Sequence, residues 1–389
     1  MGLLSNTVSL TVFDVVGEMP QQELIPWIET QLKQHAFSSI ENSSEELSLG
    51  WVELDDFQAR DFTAPGAWWR ENYVTFSLRR DQRRLPAALV KGELKREQEK
   101  FLQQNPTFQR VPKDKNDEFK ELVRTRLLIK VLPVPTVMDM LWDTHKDQVL
   151  FASTSKRAID DVVDLFSKSF PGLRLVVRHP AARARAVVGD EYAPLLEQTL
   201  TADVEAPVTQ QIEQNAWLGH EFLLWLMYQT TNSDSAYQVE CPGPAAKGEP
   251  FRSWLDERMV LAGSGNEGVQ KVTVSGPQDN FEEVCVALGR GKEMSEATIY
   301  LDKYEYQWRV TLKGELFQFG SFKCPAVKID KSAAMEDEQQ AVFYERMHVL
   351  EEGMQLFDTL LHIFLRQRLG SAWDATAGLI QDWLARHQR

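Results

Sequence analysis

Cysteine is scarce: the 389 residues contain three, Cys241, Cys285 and Cys324, odd in number and far apart. That spacing excludes a disulfide framework or a zinc knuckle and leads to the expectation of a reducing, cytoplasmic setting. Histidine is also sparse, at seven, and no pair has a zinc spacing. His220-Glu221 begins like a zincin motif, but Phe222, Leu223 and Leu224 follow and the second histidine is missing. Long apolar runs are absent too. Phe222 to Tyr228 stops far short of the roughly 18 residues that a membrane-spanning helix needs. The N-terminus shows no basic segment with a small-residue cleavage site, so no secretory signal is expected. No nucleophile elbow and no phosphate-cradling Gly-Lys-Ser/Thr loop occurs. Gly263-Ser264-Gly265-Asn266-Glu267-Gly268 matches the dinucleotide fingerprint by letter. It runs into the strand-like Val269–Val274 instead of a helix, so it reads as a turn.

What is present is an ordinary globular composition, 43% hydrophobic and 26% charged, long enough for two or three domains. The net charge of −14 hides an uneven distribution. Residues 1–78 carry 3 basic and 12 acidic side chains, whereas residues 79–130 carry 15 basic and 8 acidic. A basic segment inside an acidic chain is what a localised anion-binding surface looks like, and equally what a solvated helical face looks like.

Periodicity outlines the organisation. Thr7–Val16 alternates as a strand, and Pro20 opens a helix with Leu24, Trp27, Ile28 and Leu32 on one face. Gly50–Val52 and Tyr73–Arg79 read as strands. Pro86 to Gln104 and Glu118 to Lys130 read as helices separated by the loop 105–117. Strands at Met138–Trp142 and Gln148–Ala152, a helix at Ser155–Phe170 and a strand at Leu173–Arg178 follow. From 186 the chain turns acidic and helix-rich. A helix is expected over Val208–Tyr228, a loop over Cys241–Pro250, and strands at Val269–Val274, Ala297–Leu301 and Gln307–Leu312. Helices over about 338–369 and 372–386 close the chain. The fold class is α+β, with mixed or antiparallel sheets, packed helices and an inserted helical finger.

At Arg83 to Lys95 (RRLPAALVKGELK) the sequence resembles the segment that leads into the finger of RdgC-family proteins. Met138–Asp143 (MDMLWD), Val149–Phe170 and Met294–Pro325 resemble later stretches of that family in the same order, and Phe343–Gly370 resembles its closing helix. The resemblance implies a central α+β domain over 1–86 and 131–185, a finger over 87–130, and a C-terminal α+β domain over 186–389. Within the last, 186–268 and the helix 372–386 have no family counterpart. It further implies a homodimeric ring around double-stranded DNA, nucleoid association, sequence-nonspecific binding, and restraint of a RecA-type recombinase. No cofactor, metal or membrane enters that picture. Two departures stand out. The family's finger tip carries an aromatic residue, and the stretch aligned with it here is Val131-Leu132-Pro133-Val134-Pro135. A family basic pair is replaced by Ser275-Gly276-Pro277-Gln278-Asp279, with only Lys271 nearby.

The candidate DNA contacts are Arg79, Arg80, Arg83, Arg84, Lys91, Lys95, Arg96, Lys113, Lys115, Lys120, Arg124, Arg126 and Lys130. Phosphate binding needs cations spaced along a surface and not a fixed motif. No stacking platform for single strands is evident, because Phe101 and Phe119 fall at core positions. Two alternatives stay open. One is a Mg²⁺-dependent nuclease built on Asp81, Glu93 and Lys95, although Glu93 and Lys95 fall on a helix and point apart. The other is a protein-interaction module in phage or anti-phage biology, with Trp373, Ala377, Ile380, Trp383 and Leu384 as a tail stripe. Trp217, Trp225, Trp254 and the helical set Met347, Leu350, Met354, Phe357, Leu361 and Phe364 read most simply as core.

Overall fold

The computed structural model describes residues 2–20, 22–202, 204–265, 268–327 and 335–386, with the side chains of 264, 265 and 335–339 excepted. The first third of the chain forms β1 (Thr7–Gly17), α1 (Leu24–Gln34), β2 (Leu47–Val52), α2 (Pro65–Trp68), β3 (Trp69–Arg70) and β4 (Tyr73–Gln82). Two long helices follow, α3 (Ala87–Gln104) and α4 (Lys113–Lys130), and then β5 (Val134–Asp143), β6 (Gln148–Phe151), α5 (Lys156–Ser169) and β7 (Leu173–Val177). Beyond these come α6 (Pro180–Val187), α7 (Ala193–Thr199), α8 (Val208–Gln214), α9 (Trp217–Asn232), β8 (Ala236–Gln238) and β9 (Pro250–Gly265). The chain closes with β10 (Gly268–Ser275), α10 (Glu282–Gly289), β11 (Glu293–Lys303), β12 (Tyr306–Lys313), β13 (Gln318–Lys323), α11 (Met335–Leu369) and α12 (Trp373–Arg386). The expected α+β class is what the structure shows.

Two compact units share these elements: Val15–Val149 with Arg157–Leu175, and Met1–Asp14 with Leu150–Lys156 and Val176–Arg389. In the first unit, β4 is the central strand, flanked by β5 (Tyr73 opposite Asp143, Gln82 opposite Val134) and by β2 (Leu47 opposite Gln82), all antiparallel. The apolar stripes of α1 and α5 close over this sheet. Trp51 meets Phe76 edge-on at 5.0 Å, and Trp142 contacts Phe166 and Phe170 at 5.5 and 5.4 Å. The Trp51 indole N–H would be stranded in such a core, and it donates to the Ser169 hydroxyl at 2.7 Å. Helix α1 begins at Leu24, with Pro26 in its first turn, where the missing N–H costs nothing; Pro20 lies outside it.

In the second unit the sheet runs β10-β9-β11-β12-β13-β1, with β8 on β9. Helix α11 buries Leu350, Phe357, Leu361 and Phe364 completely and Met347 nearly so, as the core reading of this stripe expects, while Met354 is half-buried. Gly353 lets this helix approach the sheet. A Cβ there would sit 2.7 Å from Phe322 and Trp308 ring atoms, closer than carbon contacts allow. The region 186–268 supplies β9, which lies between β10 and β11. The helix expected over Val208–Tyr228 is two helices, α8 and α9. The Asn215 side chain, 2% exposed, takes the N–H of Thr201 at 3.0 Å and interrupts the run. The Cys241–Pro250 loop is stitched to α11 by Gln355, which accepts from the Ala245 N–H and donates to the Cys241 and Ala245 carbonyls, all at 2.8–2.9 Å. Of the tail stripe, Ile380 and Trp383 are packed, 4% and 5% exposed, while Trp373, Ala377 and Leu384 are half-buried. Trp225 is fully buried, but Trp254 is only half-buried and stacks on Tyr300 at 5.3 Å. The glycine-rich match joins β9 to β10 with Gly265 opposite Gly268; Asn266 and Glu267 lie outside the described residues. No helix among the described residues is long and apolar enough to cross a membrane.

Candidate nucleic-acid interface

The basic segment divides between the end of β4 and the α3–α4 hairpin, and the two parts have different fates. Strand residues alternate sides, so consecutive arginines on β4 cannot share an environment. Arg79 lies over the Phe37 ring at 4.2 Å and holds Asp81 through two 2.8 Å hydrogen bonds. Arg80, 7% exposed, pairs with Asp161 on α5 at 2.9 Å. Arg83 is 1% exposed; its guanidinium donates to the carbonyls of Ile40 and Glu41 at 2.8 Å each and to that of Ser43. Arg80 and Arg83 are therefore built into the fold and are not the surface groups that the sequence reading expected, whereas Arg79 is half-buried with its guanidinium already engaged by Asp81. Arg84, one residue on, is exposed.

Helices α3 and α4 are joined by residues 105–112, and they pack against each other as a hairpin. Their shared core is thin. No residue of α3 is fully buried, and α4 buries Val123, Leu127 and Leu128. Phe101 bridges toward the tip, 5.7 Å from Phe108 and 5.8 Å from Phe119. Gln98–Asn116 and Arg126–Glu97 hydrogen bonds, each 2.7 Å, join the flanks. The remaining helix surface carries charge, partly neutralised by i,i+3 and i,i+4 pairs such as Lys120–Asp117 at 2.7 Å and Lys95–Glu99 at 3.6 Å.

At 3.6 residues per turn the exposed cations sort onto two faces of the hairpin. Lys91 and Lys95 on α3 share a face with Lys113, Lys120 and Arg124 on α4, on the flank where Gln98 meets Asn116. Spacings along the two helices are on the order of 6 to 10 Å at 1.5 Å per residue. Arg96, Lys115 and Arg126 fall on the other flank, where Arg126 meets Glu97; Lys130 ends α4 at the hairpin's base. Lys91, Lys113, Lys130 and Arg84 have no ion-pair partner among the described residues, whereas Arg124 pairs with Glu46. The tip also differs from expectation. Val131–Pro135 is the base of the hairpin leading into β5, and the true tip, 105–112, carries Phe108 with 46% of its surface exposed. The tip therefore does have an aromatic residue.

The nuclease triad is dispersed by the same geometry. Asp81 is 1% exposed on β4 with both oxygens held by Arg79, while Glu93 and Lys95 on α3 pair with Arg96 and Glu99. Among the described residues no group of three or more His, Cys, Asp or Glu side chains is placed to hold a metal ion. The three cysteines are buried and unpaired, and burial pushes the Cys241 thiol up to about 12 and those of Cys285 and Cys324 to about 11.

An α+β protein with a charged helical hairpin projecting from an antiparallel sheet is the class that this geometry defines. The family model described as "RdgC: Putative exonuclease, RdgC" matches residues 10–203, a stretch that holds the whole hairpin. The chain belongs to the RdgC family. A search of curated proteins finds no match to it.

Proposed function

We propose that the protein binds double-stranded DNA without sequence preference through the hairpin face made by Lys91, Lys95, Lys113, Lys120 and Arg124. The observation that carries this reading is that face itself: five exposed cations, spaced along two helices, in a member of a recombination-associated family. Flexible cations meeting phosphates release counterions and read no bases, which gives affinity without specificity. The protein acts as a homodimer that encircles the duplex, with Phe108 at the tip as the apolar contact between fingers. Covered DNA is then closed to a RecA-type recombinase and to nucleases. Occlusion of this kind needs no catalytic residue and no cofactor, and it operates in the cytoplasm at the nucleoid.

Binding to a labelled linear duplex and to the matching single strand over a salt series tests the reading. Five phosphate contacts give a log–log salt slope of about −4 to −5 on duplex. Replacing Lys91, Lys95 and Lys120 by Gln brings it to about −2, because each lost contact removes roughly 0.9. Preference for the single strand, or no binding to either at low salt, refutes it.

A further inference from the structure

The opposite face of the hairpin has a different character, and duplex binding does not account for it. Leu89 on α3 and Leu122 and Ile129 on α4 fall on that face by helical spacing, and they are 42%, 48% and 62% exposed. Just past α4, Leu132 and Val134 are 78% and 56% exposed. Singly exposed apolar residues are unremarkable, but several on one hairpin face and its base make a candidate contact surface. The charge around it is one-sided. Three acids on this face are already taken: Glu93 by Arg96 at 2.5 Å, Glu97 by Arg126 at 2.7 Å, and Glu118 by Lys115 at 2.7 Å. Lys100, and Lys130 and Arg84 at the base, have no ion-pair partner among the described residues.

We infer that this face docks an acidic amphipathic helix of a protein partner, its apolar stripe laid on Ile129 and Leu132 and its carboxylates meeting the uncompensated cations. Charge complementarity selects that occupant. A second copy of the same face would oppose like charges. Duplex DNA presents phosphates and offers no apolar counterpart to five aliphatic side chains. A membrane surface would favour aromatic residues among the apolar groups, and this face has none. The inference does not depend on the duplex-binding proposal, since the two use different faces.

The test uses the full-length protein and a labelled 16-residue synthetic helix with leucines at i, i+3, i+4 and i+7 and glutamates at the exposed positions. A second peptide replaces every glutamate by lysine. The acidic peptide should bind saturably and at least about tenfold tighter than the basic one. Ile129→Ser with Leu132→Ser should weaken it by roughly tenfold or more, the cost of losing apolar anchors. Lys91→Gln with Lys95→Gln, on the other face, should leave it within about twofold. Ile129 and Leu132 are exposed, so the serine variant should keep the wild-type melting temperature. No binding of the acidic peptide overturns the inference, and so does equal weakening by both variants, which marks diffuse charge attraction. Wild-type binding to anionic phospholipid vesicles that is lost in the serine variant assigns the face to a membrane. A change of sedimentation mass in that variant assigns it to self-association. Either result sinks the acidic-helix reading.

Discussion

Arg83 and Arg84 are adjacent and identical in letter, yet one is inside the protein and the other in water. The side chain of Arg83 substitutes for backbone pairing, because the loop between α1 and β2 turns the carbonyls of Ile40, Glu41 and Ser43 toward it. Arg83→Ala leaves these carbonyls buried without donors and should cost about 2–4 kcal/mol in urea unfolding. The salt slope of duplex binding should not change. A slope reduced by one contact with stability intact would instead make Arg83 a phosphate ligand. Nothing local in the sequence distinguishes the two arginines, since the discriminating partner lies some 40 residues away. The apolar alternation of β4 was legible; the identity of its buried cations was not.

His220 makes a second residue-scale case. Its Nδ1 accepts the N–H of Met294 at 2.8 Å, a bond that only an unprotonated ring nitrogen can accept. Burial pushes its pKa down, against the opposing pull of Glu293 and Glu221. A histidine depressed in the folded state stabilises fully above its unfolded value, near 6.5, and loses that contribution as pH falls toward the folded value. The melting temperature should therefore hold between pH 8 and 7 and decline below about 6.5. His220→Asn, which keeps an acceptor but cannot titrate, should flatten the decline. An unchanged profile would place the acid sensitivity elsewhere, with His179, whose pKa is also lowered by burial, as the next group to replace.

At the scale of elements, the long periodic helices were readable and the connections were not. The helix periods of α3, α4, α5 and α11 appear in the sequence because each has a distinct apolar stripe or a proline boundary. Strand β9 was missed: its polar positions (Arg252, Asp256, Glu257, Arg258) and flanking Pro250 hide a 16-residue strand whose inner residues Phe251, Leu255 and Met259 are buried. The finger tip was misplaced because prolines mark both 105–112 and 131–135, and only packing shows which is the turn between helices. That packing also makes the hairpin fragile. Helices in proteins draw most of their stability from tertiary packing, and here the contacts of Phe101 with Phe108 and Phe119 hold the outer half. Phe101→Ala should cost about 1–2 kcal/mol locally, less than a fully buried phenylalanine would. Hydrogen exchange should quicken across 87–130 and stay unchanged in the sheets. Acceleration spread through the whole first unit would mean that the hairpin is not a separate cooperative element.

For the whole molecule, the net charge of −14 and the basic hairpin coexist because the positive charge is local. Repulsion acts over a screening length of about 10 Å at 0.1 M salt, so the acidic remainder weakens stray contacts without silencing the cationic face. The matched family's description names an exonuclease, and that chemistry makes a distinct prediction. A metal-dependent nuclease needs carboxylates converging on a cation with a water poised for attack. In this protein the two carboxylates of the nuclease alternative are both engaged: Asp81 is inside the sheet and neutralised by Arg79, and Glu93 pairs with Arg96. Incubating the full chain with end-labelled duplex over a Mg²⁺ and Mn²⁺ series should leave the substrate at full length, even at protein concentrations that saturate binding. The same divalent ions should lower affinity, because they compete for phosphates with Lys91, Lys95, Lys113, Lys120 and Arg124. Progressive shortening that needs the metal and survives purification to constant specific activity would refute occlusion as the whole mechanism. Abolition of that shortening by Glu93→Gln would locate the chemistry on the hairpin, and its persistence would place it elsewhere in the chain.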